Sequence, residues 1–151
     1  MSAPLNFDFA PSDYRDVPSP AAALMLNVKG DLRRRLLPYY CGLGWEAFRC
    51  GLPMLRPMLL EFPGDERFAQ TDDQLMIGDS LLLAPVLEAG AAQRTVVLPE
   101  GSWHDYWGEH SWRGGSTIEV PAPLDRVPLL VRGGFILPLL SQVNIVSNFD
   151  I

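Results

Sequence analysis

GLPMLRPMLLEFPGDERFAQTDDQLMIGDSLLLAPV (Gly51–Val86) is where the chain changes from one periodicity to another. Upstream, apolar residues recur every three or four positions: Leu24, Val28, Leu32, Leu36, Tyr40, Leu43 and Ala47. That stripe predicts a long amphipathic helix, opened by Ser19-Pro20 and closed near Gly51. Pro38, Gly42 and Gly44 oppose a continuous helix, so two pieces are expected, with a break between Leu37 and Gly44. Downstream of Gly51 the pattern is extended. Met54–Phe62 alternates around Pro57, as in a short or edge strand, and Ser80–Leu87 is a near-continuous apolar run suited to a buried strand.

Further short strands are expected at Arg94–Leu98, Ser116–Val120, Val127–Val131 and Phe135–Leu140. Turn signals separate them: Pro99-Glu100-Gly101, Gly114-Gly115, Pro121-Ala122-Pro123 and Gly133-Gly134. The fold class is therefore α+β, with N-terminal helices followed by an antiparallel β-sandwich. The expected organisation is an irregular arm over 1–18, helices and a strand over 19–78, the sandwich over 79–140 and a tail over 141–151.

Of 151 residues, 48% are hydrophobic and 20% charged, enough for a core and too few charges for a disordered acidic chain. A net charge of −6 argues against a nucleic-acid surface, which needs a basic stripe. Arg33-Arg34-Arg35 splays around a helix and reads as a solvated face. No segment reaches the ~18 apolar residues of a membrane span, Val127–Leu140 being interrupted by Arg132. Residues 1–16 lack the basic start and apolar core of a secretory signal, and the compartment is not legible. Cys41 and Cys50, nine positions apart on one helix, are ~13 Å apart along its axis, too far for a disulfide. They are expected to be reduced, buried small apolar residues. No metal and no cofactor is expected: His104 and His110 have no Cys or acid in ligand register.

Arg56 and Asp79 are single charges in apolar segments, and an unpaired buried charge costs several kcal/mol. Mutual pairing, or pairing with Asp72 or Asp73, is the expected solution, which makes them candidate structural junction residues. Arg126 and Arg132 read as solvated or interface charges. Trp103, Tyr106, Trp107 and Trp112 present flat apolar faces of the kind that stack on sugar rings, but indoles near turns serve equally as core. Tyr106 and Trp107 are the candidate substrate-binding residues.

LRRRLLPYY (Leu32–Tyr40), the block from Gly51 to Val86, LPEGSWHDYW (Leu98–Trp107) and PLDRVPLLVRGGFILP (Pro123–Pro138) occur in an order that resembles the glycoside hydrolases of family 31, the α-glucosidase and α-xylosidase family. The resemblance implies the last helix and strand of a (β/α)8 barrel followed by the proximal C-terminal β-sandwich. It favours a core position for Trp103 and leaves Trp107 open. A whole barrel needs about 250 residues, so a fragment or truncated form is implied, its partner being the missing barrel portion; an oligosaccharide is the second candidate partner. The implied parent activity is hydrolysis of terminal α-linked glucose or xylose with retention, by two carboxylates roughly 5–5.5 Å apart. In the family the nucleophile stands in a Trp-X-Asp-Met-Asn type motif and the acid/base in a Gly-Asp-Asn type segment, both upstream of the helix. Neither has a counterpart here, so no catalytic residue is assigned and the chain alone is expected to be silent. Trp103-His104-Asp105 and Gly78-Asp79-Ser80 copy parts of those motifs in the setting of a turn and a buried strand. The alternative is a free-standing, non-enzymatic β-sandwich that binds carbohydrate or a partner chain. It would need its aromatics on one sheet face.

Overall fold

The computed structural model describes residues 30–140 apart from 89 and 109. The arm expected over 1–18, the helix start at Ser19-Pro20, Leu24, Val28 and the tail over 141–151 lie outside these residues. Residues 30–35 are helical (α1), and a turn at Leu36 leads into α2, Leu37–Cys50. The break thus precedes Pro38 instead of following it, and α2 runs through both Gly42 and Gly44. Proline is tolerated in a first helical turn because its missing N–H has no intrahelical partner there. Gly51 closes α2 with φ of 71°.

Eight strands follow: β1 Leu55–Pro57, β2 Leu75–Ile77, β3 Leu81–Leu83, β4 Gln93–Val97, β5 Ser102–Asp105, β6 Ser111–Arg113, β7 Thr117–Pro121 and β8 Leu129–Arg132. β1 is shorter than expected. Pro57 has no N–H for the ladder and its φ suits helix entry, so Met58–Glu61 forms a short helix, α3. β2, β5 and β6 were not expected, and Phe135–Leu140 is not a strand. β1-β2-β3-β8-β5-β6 make one antiparallel sheet with β1 at an edge; β4 and β7 pair in a second. The division expected between residues 78 and 79 falls inside the larger sheet, between the paired strands β2 and β3.

The two sheets form a sandwich-like arrangement, and α2 adds a third layer. Met76, Leu82, Trp103 and Leu130 of the larger sheet pack with Val96 and Val120 of the smaller one. Their sequence neighbours Ile77, Leu81 and Leu129 point the other way, against Leu36, Tyr39 and Leu43. Side chains alternate along a strand, so a sheet buried on both faces reads as the continuous apolar runs of β3 and β8. Leu36, Tyr39 and Leu43 of the helix stripe thus meet Leu81 of β3, while Leu82 and Ala84 face the other sheet.

Gly78 sets how closely α2 approaches. It has φ of +62°, and a Cβ there would lie 2.4 Å from Leu43 Cδ2 and from Tyr39 Oη. Tyr39 Oη–H donates to the Ile77 carbonyl (2.7 Å) and accepts the Ser80 N–H (3.3 Å). Cys41 and Cys50 are free but exposed, not buried: Cys41 lies off the Leu36–Tyr39–Leu43 stripe, and Cys50 is the last residue of α2. No helix among the described residues is long and apolar enough to cross a membrane.

Tyr39→Phe strands a buried carbonyl and a buried N–H, and is expected to cost about 1–3 kcal/mol in denaturant unfolding. Burial raises the Tyr39 pKa above its usual 10.0. A raised folded pKa gives stability that is full below pH 10 and lost as the pH climbs towards the folded value, since the unfolded chain ionises first. The wild-type advantage over Tyr39→Phe is therefore expected to shrink above pH 10; an advantage constant to pH 11 would contradict this role.

Candidate functional site

The charged centre of the described chain is Arg56, 4% exposed on edge strand β1. Its Nη2–H donates to Glu46 Oε2 on α2 (2.7 Å), its Nη1–H to Glu61 Oε2 on α3 (2.9 Å), and its Nε–H to the Pro53 carbonyl (3.0 Å). Burial works to lower its pKa, but the bonds and charges of Glu61 and Glu46 outweigh it and the pKa is raised. Glu61 also faces Arg132 of β8 at 3.9 Å. The Arg132 guanidinium lies over both Phe62 and Phe135, 5.1 and 5.0 Å from the ring centroids.

The pairing expected of Arg56 with Asp79, Asp72 or Asp73 is corrected. Asp79 lies in the turn that joins β2 to β3, where its Oδ1 accepts the Ser80 hydroxyl (2.6 Å), and Asp73 pairs with Arg94. Sequence reasoning missed Glu46 and Glu61. A usable signal existed: Glu46 follows Leu43 by three positions and so borders the buried stripe.

The aromatics do not share one face. Trp103 is fully buried between the sheets and donates its Nε1–H to the Pro99 carbonyl (2.9 Å). Trp112 is half-buried against the same core and stacks on His110. Tyr106 and Trp107, consecutive after β5, diverge. Tyr106 packs into the helix-side core, its ring at right angles to that of Trp107 with centroids 4.9 Å apart. Trp107 lines a groove of about 260 Å³ with Leu32, Pro85, Ala122, Leu124 and Arg126. Its Nε1–H donates to the Val127 carbonyl (2.7 Å) and its backbone N–H to Asp105 Oδ1 (3.1 Å). Arg126 is half-exposed, paired loosely with Asp125 at 3.7 Å.

The two acids that mimic catalytic motifs are far apart. Leu81 and His104 align through Val131 of β8, the strand between them. Asp79 and Asp105 therefore differ by two interstrand steps, ~10 Å, and by three residues along the strands. A retaining pair needs roughly 5–5.5 Å. Among the described residues no group of three His, Cys, Asp or Glu could hold a metal ion.

Residues 51–137 match the family model of the glycosyl hydrolase family 31 C-terminal domain. An alpha-xylosidase of Saccharolobus solfataricus is 36% identical over 112 residues, 74% of this chain and 15% of that protein. Human neutral alpha-glucosidase C is 36% identical over 114 residues, 74% of this chain and 12% of that protein. Among solved structures, a Flavobacterium johnsoniae dextranase complexed with isomaltotriose superposes with TM-score 0.71 at 35% identity, over 78% of this chain and 15% of that one. An alpha-xylosidase of Xanthomonas citri gives TM-score 0.74 at 34% identity, over 84% and 14%. The chain thus spans about a seventh of the length of such relatives.

Arg56→Met removes the charge that Glu61 and Glu46 neutralise. It is expected to cost roughly 2–4 kcal/mol, below the range for a wholly buried pair because Glu46 is over a third exposed. Arg56→Met/Glu61→Leu is expected to regain part of that. An unchanged urea midpoint in the single variant would contradict the role given to Arg56.

Proposed function

The chain belongs to glycosyl hydrolase family 31, and from that premise we propose that it is the sandwich-side, non-catalytic portion of a retaining α-glycosidase, with terminal α-linked glucose or xylose as the parent substrate. The carrying observation is the match to the family's C-terminal domain at about a seventh of the relatives' length. Supporting it, Asp79 and Asp105 each hold a turn through a hydrogen bond and stand too far apart for a displacement mechanism.

The partner in this reading is the barrel portion. Among the described residues, apart from Leu87 and Leu124, the exposed large apolar side chains flank the elements joined by Arg56, Glu61 and Arg132: Leu37, Trp45 and Phe48 on α2, Met54 and Leu55 at β1, Leu59 and Leu60 on α3, and Phe135, Ile136 and Leu139 after β8. Leu37, Cys41, Trp45 and Phe48 fall on one helical stripe, turned away from the stripe that covers the sheet. Trp45 is 62% and Phe48 82% exposed. An apolar helix face left in water is a docking surface or an aggregation hazard. Here it is assigned to the barrel.

The pure chain is expected to leave aryl α-glucosides and aryl α-xylosides intact while binding a hydrophobic dye, and Trp45→Ser/Phe48→Ser is expected to reduce that dye binding severalfold. Hydrolysis by the pure chain would overturn the non-catalytic assignment. A compact monomer that binds no dye would overturn the docking face.

A further inference from the structure

The Trp107 groove lies apart from the Arg56 network and the apolar face around it. Its walls come from the segment after β3 (Pro85), the β7–β8 connection (Ala122, Leu124), α1 (Leu32) and Trp107. Glu88, Asp125 and Arg126 supply the polar groups at its rim.

We propose that this groove binds one pyranose unit of a neutral α-linked oligosaccharide, as a non-catalytic site. Trp107 is held in place before any ligand arrives, by its bond to the Val127 carbonyl, by Asp105 on its backbone N–H and by the perpendicular Tyr106 ring. A fixed ring loses little conformational freedom on binding. With its N–H engaged, the indole contributes apolar ring surface to the groove, which suits the C–H face of a sugar ring. The rim fits the hydroxyls: Glu88 and Asp125 accept hydrogen bonds and Arg126 donates them. Two carboxylates against one guanidinium disfavour an anion. Arg126, 5.9 Å from the Trp107 centroid, disfavours a cationic ligand by its own charge. Its ion pair with Asp125 is loose and solvated, so the guanidinium turns towards a hydroxyl at small cost.

The choice of sugar rests on the family reading above; the site does not. The test is a titration of the whole chain with maltose, followed by heteronuclear NMR, in which the indole N–H signals of the four tryptophans report separately. The Trp107 signal is expected to shift saturably while that of buried Trp103 stays still. Asp125→Ala/Glu88→Ala, at exposed positions, is expected to weaken binding about tenfold, and Trp107→Ala to abolish it. Absence of saturable shifts, undiminished binding by both variants, or shifts with a proline-rich peptide but none with maltose would overturn the inference. These outcomes are separate from hydrolysis by the pure chain, which bears on the preceding reading alone.

Discussion

A guanidinium that is only 4% exposed has to be surrounded by acceptors, and Arg56 finds them on two helices. Glu46 fixes the rotation of α2, Glu61 fixes α3, and the Pro53 carbonyl fixes the approach of the chain to β1. With Glu46 directed at Arg56, the 3.6-residue period puts Leu36, Tyr39 and Leu43 on the sheet and Leu37, Trp45 and Phe48 in solvent. Gly78 then admits the helix at contact distance, and Tyr39 bonds both sides of the β2–β3 turn. One buried charge thereby determines which helix stripe becomes core and which remains available to a partner.

The layered fold was largely legible in the sequence. The apolar runs at β3 and β8, the alternation at β4 and β7, and the helix closure at Gly51 all carry local signals. β2, β5 and β6 did not show themselves because three or four residues hold too little alternation to register, and Ser102–Asp105 buries only Trp103. Strand pairing crosses residue 78, a long-range feature that the change in apolar density between Phe62 and Leu75 does not report. The charge pairing was harder still. Spacing shows that Arg56 needs a carboxylate but not which of the nearby acids the fold delivers, and the tight turn at Gly78 directs Asp79 to Ser80. Of the four aromatics singled out in the sequence, Trp103 and Trp112 go to the core between the sheets, Tyr106 to the helix-side core and Trp107 to a groove, a division that spacing alone does not show.

These arrangements separate lineage from chemistry. The span that matches the family, residues 51–137, holds a set of joints: Arg56 with Glu61, the buried β3 run, Trp103 between the sheets and the Arg132 guanidinium over two phenylalanines. Each stabilises a junction between layers, and the acids among them are already committed to hydrogen bonds or ion pairs. The same economy explains the two kinds of surface. Around the network the exposed large apolar residues gather on α2, β1, α3 and the segment after β8, as suits a covered interface. At Trp107 a small apolar groove is edged by both donors and acceptors, as suits a small polar ligand.

The central claim is that α2 and the larger sheet form one cooperative unit held by Arg56 and Tyr39, despite the change of periodicity at Gly51. Native-state amide hydrogen exchange tests it most directly. The slowest amides of α2, around Leu43 to Ala47, are predicted to exchange with the same opening free energy as those of β3 and β8, and with the same denaturant dependence. If the helix amides exchange through a separate opening, several kcal/mol below the sheet and with little denaturant dependence, α2 is an independent appendage and the account fails.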